Sequence, residues 1–124
     1  MFAKPFYGKS AMPRDDAARI RDIVEACDRI VAVTKGSSRE IFAENDLAMR
    51  AVLYDFAVIG EAAKGVSAAT RTAHPDVPWS EMAGMRDVLI HDYMGVDLKT
   101  VWKVAQERLP EMKPLLTDLE LVHK

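Results

Sequence analysis

The chain has 124 residues, 49% hydrophobic and 29% charged. That balance excludes a disordered or membrane-spanning polypeptide and predicts one domain that buries roughly two thirds of its unfolded surface. A formal net charge of −2 excludes a nucleic-acid binder working through a global positive field, so any RNA contact needs a local basic group or the assembly of two copies. Cys27 is the single cysteine, which excludes an intramolecular disulfide and a thiolate metal cluster.

Residues 1–11, MFAKPFYGKSA, contain no apolar run of signal-peptide length. Nothing in the chain approaches the ~20 apolar residues of a membrane span, so a cytoplasmic protein without membrane contact is expected. From Asp15 to Thr34, Ile20, Ile23, Val24, Cys27, Ile30 and Val31 recur at three- and four-residue steps and predict a first helix. On that apolar face Cys27 reads as a buried, inert thiol. Lys35-Gly36 is a stop signal. Ser37-Ser38-Arg39-Glu40 matches the S-x-x-E capping box and opens a short helix carrying Ile41 and Phe42.

Asn45-Asp46 caps a longer helix from Leu47 to at least Val66. Its apolar line is Ala48, Val52, Ile59, Ala62, Ala63 and Val66, with Leu47, Ala51 and Val58 alongside. Gly60 and Gly65 cost helix propensity there but let another helix approach closely. Glu61 lies beside the stripe, and a buried carboxylate needs a partner. HPDVPW, residues 74–79, is the clearest loop. Ser80 and Glu81 open a fourth helix. Gly95 interrupts it, Asp97 caps again, and Leu98, Val101, Trp102, Ala105 and Leu109 give a fifth apolar face. Pro110 and Pro114 are expected to bend or break the C-terminal segment. The fold class predicted is all-α, an antiparallel helical bundle with short connections.

The fourth helix carries the chemistry. With Met82 set at zero and about 100° per residue, Met85, Leu89 and Tyr93 cluster within about 60° of it as a core stripe. Arg86 borders that stripe. His91 lies about 180° away with Asp87 and Gly84 as neighbours, so Asp87 and His91, four apart, can touch. A carboxylate beside an imidazole fixes its tautomer and raises its pKa, and Gly84 leaves room above the ring. Arg86 offers a planar fork suited to phosphate. Histidine with arginine suffices for RNA cleavage without a metal: one moves the 2′-hydroxyl proton, the other stabilises charge on the pentacoordinate phosphate. Arg86 and His91 nevertheless diverge by about 140° on a regular helix. Distortion near Gly95 relieves that, and so does a site shared by two copies. The plainer reading of the same residues is a solvated Asp–His pair on an exposed face.

Three segments resemble a known family. VIGEAAKGVS (58–67), HPDVPWSEMAGMRDVLIHDY (74–93) and GVDLKTVWKVAQERLPEMK (95–113) are similar to the central helix, the H-P-x-(I/V)-P-W loop with its R-x4-H-x-Y motif, and the final helices of HepT-like members of the HEPN superfamily, the toxin halves of toxin–antitoxin pairs. The resemblance runs from Met12 over residues 12–124, with residues 1–11 a preceding extension. It implies an all-α homodimer in which R-x4-H motifs face each other across a cleft, forming a metal-independent ribonuclease site with no cofactor. Arg86 and His91 match the catalytic positions. Asp87 stands where the family often has asparagine, and would orient His91. Tyr93 matches the tyrosine that a minimal nucleotidyltransferase antitoxin modifies with AMP, and phosphate added there would repel RNA. Tyr54-Asp55 departs from a basic residue and asparagine often found in the family.

The function expected is therefore a ribonuclease toxin silenced by a nucleotidyltransferase partner. The rival is a non-catalytic helical scaffold that presents substrate to a nucleotidyltransferase; a decayed site is a third possibility. Elsewhere, His74 reads as structural and His123 has no assigned role. Trp79 and Trp102 read as core or interface anchors, and Lys99 and Lys103 as a solvated face. No histidine spacing matches a metal motif.

Overall fold

A computed structural model describes the backbone of residues 14–91 and 98–122, with side chains for residues 15–86 and 99–120. Every regular element among the described residues is helical: α1 (Arg14–Thr34), α2 (Arg39–Ala43), α3 (Asp46–Gly65), α4 (Ala68–Ala73), α5 (Trp79–His91), α6 (Leu98–Lys103) and α7 (Leu109–Val122), with a π-turn over Val104–Arg108 joining the last two. None of these helices is long and apolar enough to cross a membrane.

Helix α1 begins on the acidic pair Asp15 and Asp16 and stops where expected. Gly36 adopts φ 75°, the left-handed conformation glycine enters without a Cβ penalty, while Lys35 N–H donates to the Val31 carbonyl at 2.8 Å. The next cap is displaced by one residue from the capping box read in the sequence. Ser38, not Ser37, is the N-cap, and its hydroxyl accepts from Ile41 N–H at 3.1 Å; Ser37 donates instead to the Ser38 carbonyl. Asn45 caps α3 by accepting from Ala48 N–H at 3.0 Å.

Cross-helix pairings fix the directions. Asp16 meets Ser67, Arg19 abuts Gly65 and Arg29 meets Asp55, so α1 and α3 run antiparallel. Arg21 with Glu120 and Asp28 with Lys113 set α7 antiparallel to α1. Helix α3 packs against both α1 and α5. The core holds Ile20, Ile23, Cys27 and Ile30 of α1, Val52, Phe56, Ile59 and Ala63 of α3, Met82 of α5, and Val101, Ala105, Leu109, Met112, Leu116 and Leu119 of the final segment. The thiol of Cys27, 1% exposed, is pushed up to about 12 by burial, in keeping with an inert cysteine.

The structure corrects a further expectation. Pro110 and Pro114 do not break the final segment, which continues as helix to Val122. The π-turn lies immediately before Pro110 and contains Gln106, whose carbonyl the ring of Pro110 would otherwise strike. The buried line Val101-Ala105-Leu109-Met112 crosses that turn without interruption. Helix α4 is an addition to the elements expected from the sequence. Its N-cap Ser67 is held from outside by Asp16, whose carboxylate accepts from Ser67 N–H at 2.9 Å, Ser67 Oγ at 2.6 Å and Thr70 Oγ1 at 2.6 Å. A tertiary cap of this kind has no local signature.

Candidate active site

The helix bearing R-x4-H is located from three sides. The HPDVPW loop closes on itself: Trp79 Nε1–H donates to the His74 carbonyl at 2.9 Å, and Val77 and Trp79 are both buried. His74 N–H in turn caps α4 through the carbonyls of Thr70 and Arg71. Trp79 thus starts α5 at a fixed point, and Arg86 lies two turns later. Arg108 of the π-turn grips the first turn of α5, donating from Nε to Glu81 Oε2 at 2.8 Å and from a terminal nitrogen to Oε1 at 2.5 Å; it also pairs with Glu111. The Arg108 hydrogen bond holds the Glu81 carboxyl below its ordinary range.

The third hold is on α3. A Cβ at Gly60 would lie 2.5 Å from Arg86 Cβ and 2.7 Å from its amide nitrogen, so α5 crosses α3 at Gly60, with the backbone of Arg86 as the point of contact. The close approach read from this glycine is present, and its partner is the catalytic candidate itself. Glu61, the next residue, forms an ion pair with Arg86 Nε. The partner required of Glu61 is therefore a basic side chain, but the carboxylate is not buried: its side chain is 66% exposed and that of Arg86 34%.

From Arg86 to His91 the helix is unbroken, so their separation is the helical one, about 140° around the axis. Asp87 and His91 occupy positions four apart on one face of α5; their side chains lie outside the described residues, as do Tyr93, Gly95 and Asp97. At Gly84 a Cβ would meet nothing within 4 Å, so the face preceding Asp87 is open. Among the described residues no three His, Cys, Asp or Glu side chains are grouped to hold a metal ion. A hollow of about 480 Å³ lies between α1 and α3, lined by Arg19, Asp22, Val58, Glu61, Ala62, Lys64 and Gly65. Its two bases are matched by two acids.

Comparison with known proteins decides what this helix belongs to. The family model for ribonuclease HepT-like proteins matches residues 23–119, a span containing every element from the body of α1 to the end of the buried seam in α7. The chain belongs to the HepT-like ribonuclease family. The Methanocaldococcus jannaschii protein named "Putative RNase MJ1216" is 44% identical over 111 residues, covering 86% of this chain and 92% of that protein. The Thermococcus cleftensis "Probable ribonuclease HepT" is 38% identical over 102 residues, covering 82% and 93%. No solved structure matches.

Within this HepT-like chain, the sequence locates Arg86 but not what surrounds it. The Arg108–Glu81 grip joins residues 27 apart, and Arg86 and Glu61 are similarly distant along the chain, so no local pattern reports either contact. Asp55 is 4% exposed and accepts from Arg29 Nε at 3.0 Å. It fastens α1 to α3. Trp102 packs its ring against Phe42 with centroids 5.3 Å apart, an anchor rather than a base platform.

Proposed function

We propose that this HepT-like chain is the metal-independent ribonuclease toxin of a toxin–antitoxin pair, acting as a cytoplasmic homodimer. The observation that carries the reading is the presentation of Arg86. Its backbone is clamped against Gly60, its guanidinium reaches the surface, and an unbroken helix leads from it to His91. His91 takes the proton of a ribose 2′-hydroxyl, and the 2′-oxygen bonds to the adjacent phosphorus. The P–O5′ bond then breaks, leaving a 2′,3′-cyclic phosphate and a 5′-hydroxyl end once the departing oxygen is protonated. Arg86 stabilises the charge gathered on the phosphate, and Asp87 orients His91. Residues 12–124 form the catalytic domain, preceded by an extension over residues 1–11.

A second copy answers the divergence of Arg86 from His91, since a two-fold cleft lets each residue work with its counterpart across the interface. The outer face of α3 supports this arrangement. Leu47 is 79% and Tyr54 68% exposed; they lie within about 60° of Val58 and Glu61 around the axis, on a face that also carries the exposed Arg50 and ends at the Arg86 pair. In the same reading a nucleotidyltransferase antitoxin attaches AMP to Tyr93, two residues beyond His91, where added negative charge repels RNA.

The test is RNA cleavage in EDTA by protein purified without its partner, checked by intact mass for added AMP, beside His91→Ala. Cleavage that yields cyclic-phosphate ends and disappears in the variant is the expected result. Total RNA left intact by unmodified, dimeric protein would instead favour a non-catalytic scaffold for the nucleotidyltransferase.

A further inference from the structure

We propose that Glu61 is a positioning residue for cleavage, fixing the guanidinium of Arg86 in the orientation that meets the phosphate. The inference rests on the reading of Arg86 as the phosphate-binding group.

Its basis is the junction of α3 and α5. Gly60 brings the backbone of Arg86 directly onto α3, so the next α3 residue, Glu61, stands beside the arginine side chain. Glu61 Oε1 pairs with Nε, the nitrogen nearest the Arg86 backbone. An arginine side chain rotates about several bonds, and a fixed Cα alone leaves its planar fork undirected. Securing Nε fixes the plane of the group, and the guanidinium carries five N–H donors, more than one carboxylate oxygen can accept. A phosphate can then be bound by the same group while Glu61 retains its hold.

Magnitudes favour a positioning role over a stabilising one. Side chains 66% and 34% exposed form a pair that contributes little to folding stability. A phosphate held on the same guanidinium lies well inside the Debye length of about 8 Å from Glu61, so the orienting effect has to outweigh their mutual repulsion for Glu61 to assist cleavage. Misplacement of a charge-stabilising group by about 1 Å costs on the order of 100-fold in rate.

The experiment is a double-mutant cycle on cleavage of an RNA oligonucleotide in EDTA, with wild type, Glu61→Ala, Glu61→Gln, Arg86→Ala and the Glu61→Ala/Arg86→Ala pair. Glu61→Ala is expected to lower kcat about 10- to 100-fold with KM changed less than about threefold, because orientation in the transition state is lost and not bulk affinity. Glu61→Gln keeps an oxygen that accepts from Nε–H and is expected to recover most of the rate. In the Arg86→Ala background, Glu61→Ala is expected to add nothing. A Glu61→Ala enzyme as fast as or faster than wild type, beside an inactive Arg86→Ala, overturns the positioning role and leaves the reading of Arg86 standing. Equal losses from Glu61→Ala with and without Arg86 also overturn it. Arg86→Ala cleaving at the wild-type rate removes the reading of Arg86 and this role together. Independently of turnover, the arginine side-chain Nε–H resonance of Arg86 is expected to exchange slowly with solvent in wild type and to lose that protection in Glu61→Ala. Unchanged protection overturns the proposal.

Discussion

Asp16 carries a carboxylate that is 2% exposed and accepts three hydrogen bonds from Ser67 and Thr70. Removing the acceptor leaves those donors unsatisfied and α4 without its tertiary cap, so Asp16→Ala is expected to cost about 2–4 kcal/mol, measured as a fall in the urea midpoint. Its neighbour Asp15, exposed on the same first turn, is expected to change far less. Cys27 makes the pH prediction. Its thiol pKa rises from 9.0 to about 12 on folding, so the folded chain holds that proton more tightly than the unfolded one. The contribution to stability is complete below pH 9.0 and is lost as pH rises towards about 12. Denaturation midpoints should decline more steeply with pH in that window for wild type than for Cys27→Ala. Equal slopes would mean that the thiol is not the titrating group. That Cys27 is buried was legible in the sequence from the spacing of Ile20, Ile23, Val24 and Ile30. That Asp16 is buried was not, because an acid in a first turn ordinarily faces water and its partners lie 51 or more residues away.

Between helices, two glycines separate packing from propensity. A Cβ at Gly60 collides with the backbone of Arg86, whereas one at Gly84 meets nothing within 4 Å. Gly60→Ala therefore has to push α5 from α3, and is expected to destabilise by about 1–3 kcal/mol and to reduce RNA cleavage with it. Gly84→Ala is expected to stabilise by about 0.5–1 kcal/mol through helix propensity alone, read from thermal midpoints of the two proteins side by side. Should Gly84→Ala be stable yet slow in cleavage, the open face before Asp87 is where RNA backbone passes. The helices themselves were legible: α1, α3 and α5 arise from apolar steps of three and four and from their stop signals. Helix α4 was missed because its six residues, AATRTA, hold too little apolar periodicity to register. The displaced cap at Ser38 reflects two adjacent serines, either able to accept from the backbone, between which the helix start decides.

For the assembled protein the question is whether one chain or two complete the site. Helical geometry between Arg86 and His91 and the exposed Leu47 and Tyr54 on α3 both favour two. If Arg86 of one copy works with His91 of the other, mixing inactive Arg86→Ala with inactive His91→Ala restores one intact site in each mixed dimer. Activity should then recover to about a quarter of wild type in a statistical mixture. A site complete within one chain gives no recovery. Tyr54→Arg should abolish that complementation by weakening the dimer, visible as a shift to monomer in sedimentation.

Local sequence was enough to establish the helical class, most helix boundaries, the burial of Cys27, Trp79 and Met82, the R-x4-H segment and the family. Each of these is written in apolar periodicity, capping chemistry or contiguous motifs. The packed arrangement was needed to learn that Gly60 receives Arg86, that Glu61 grips it, that Arg108 holds the base of α5 and that Asp16 caps α4. These pairings join residues far apart in the chain, and no propensity encodes them. They exist only because antiparallel packing brings distant turns to the same height, where a missing Cβ or an opposite charge settles which side chains meet.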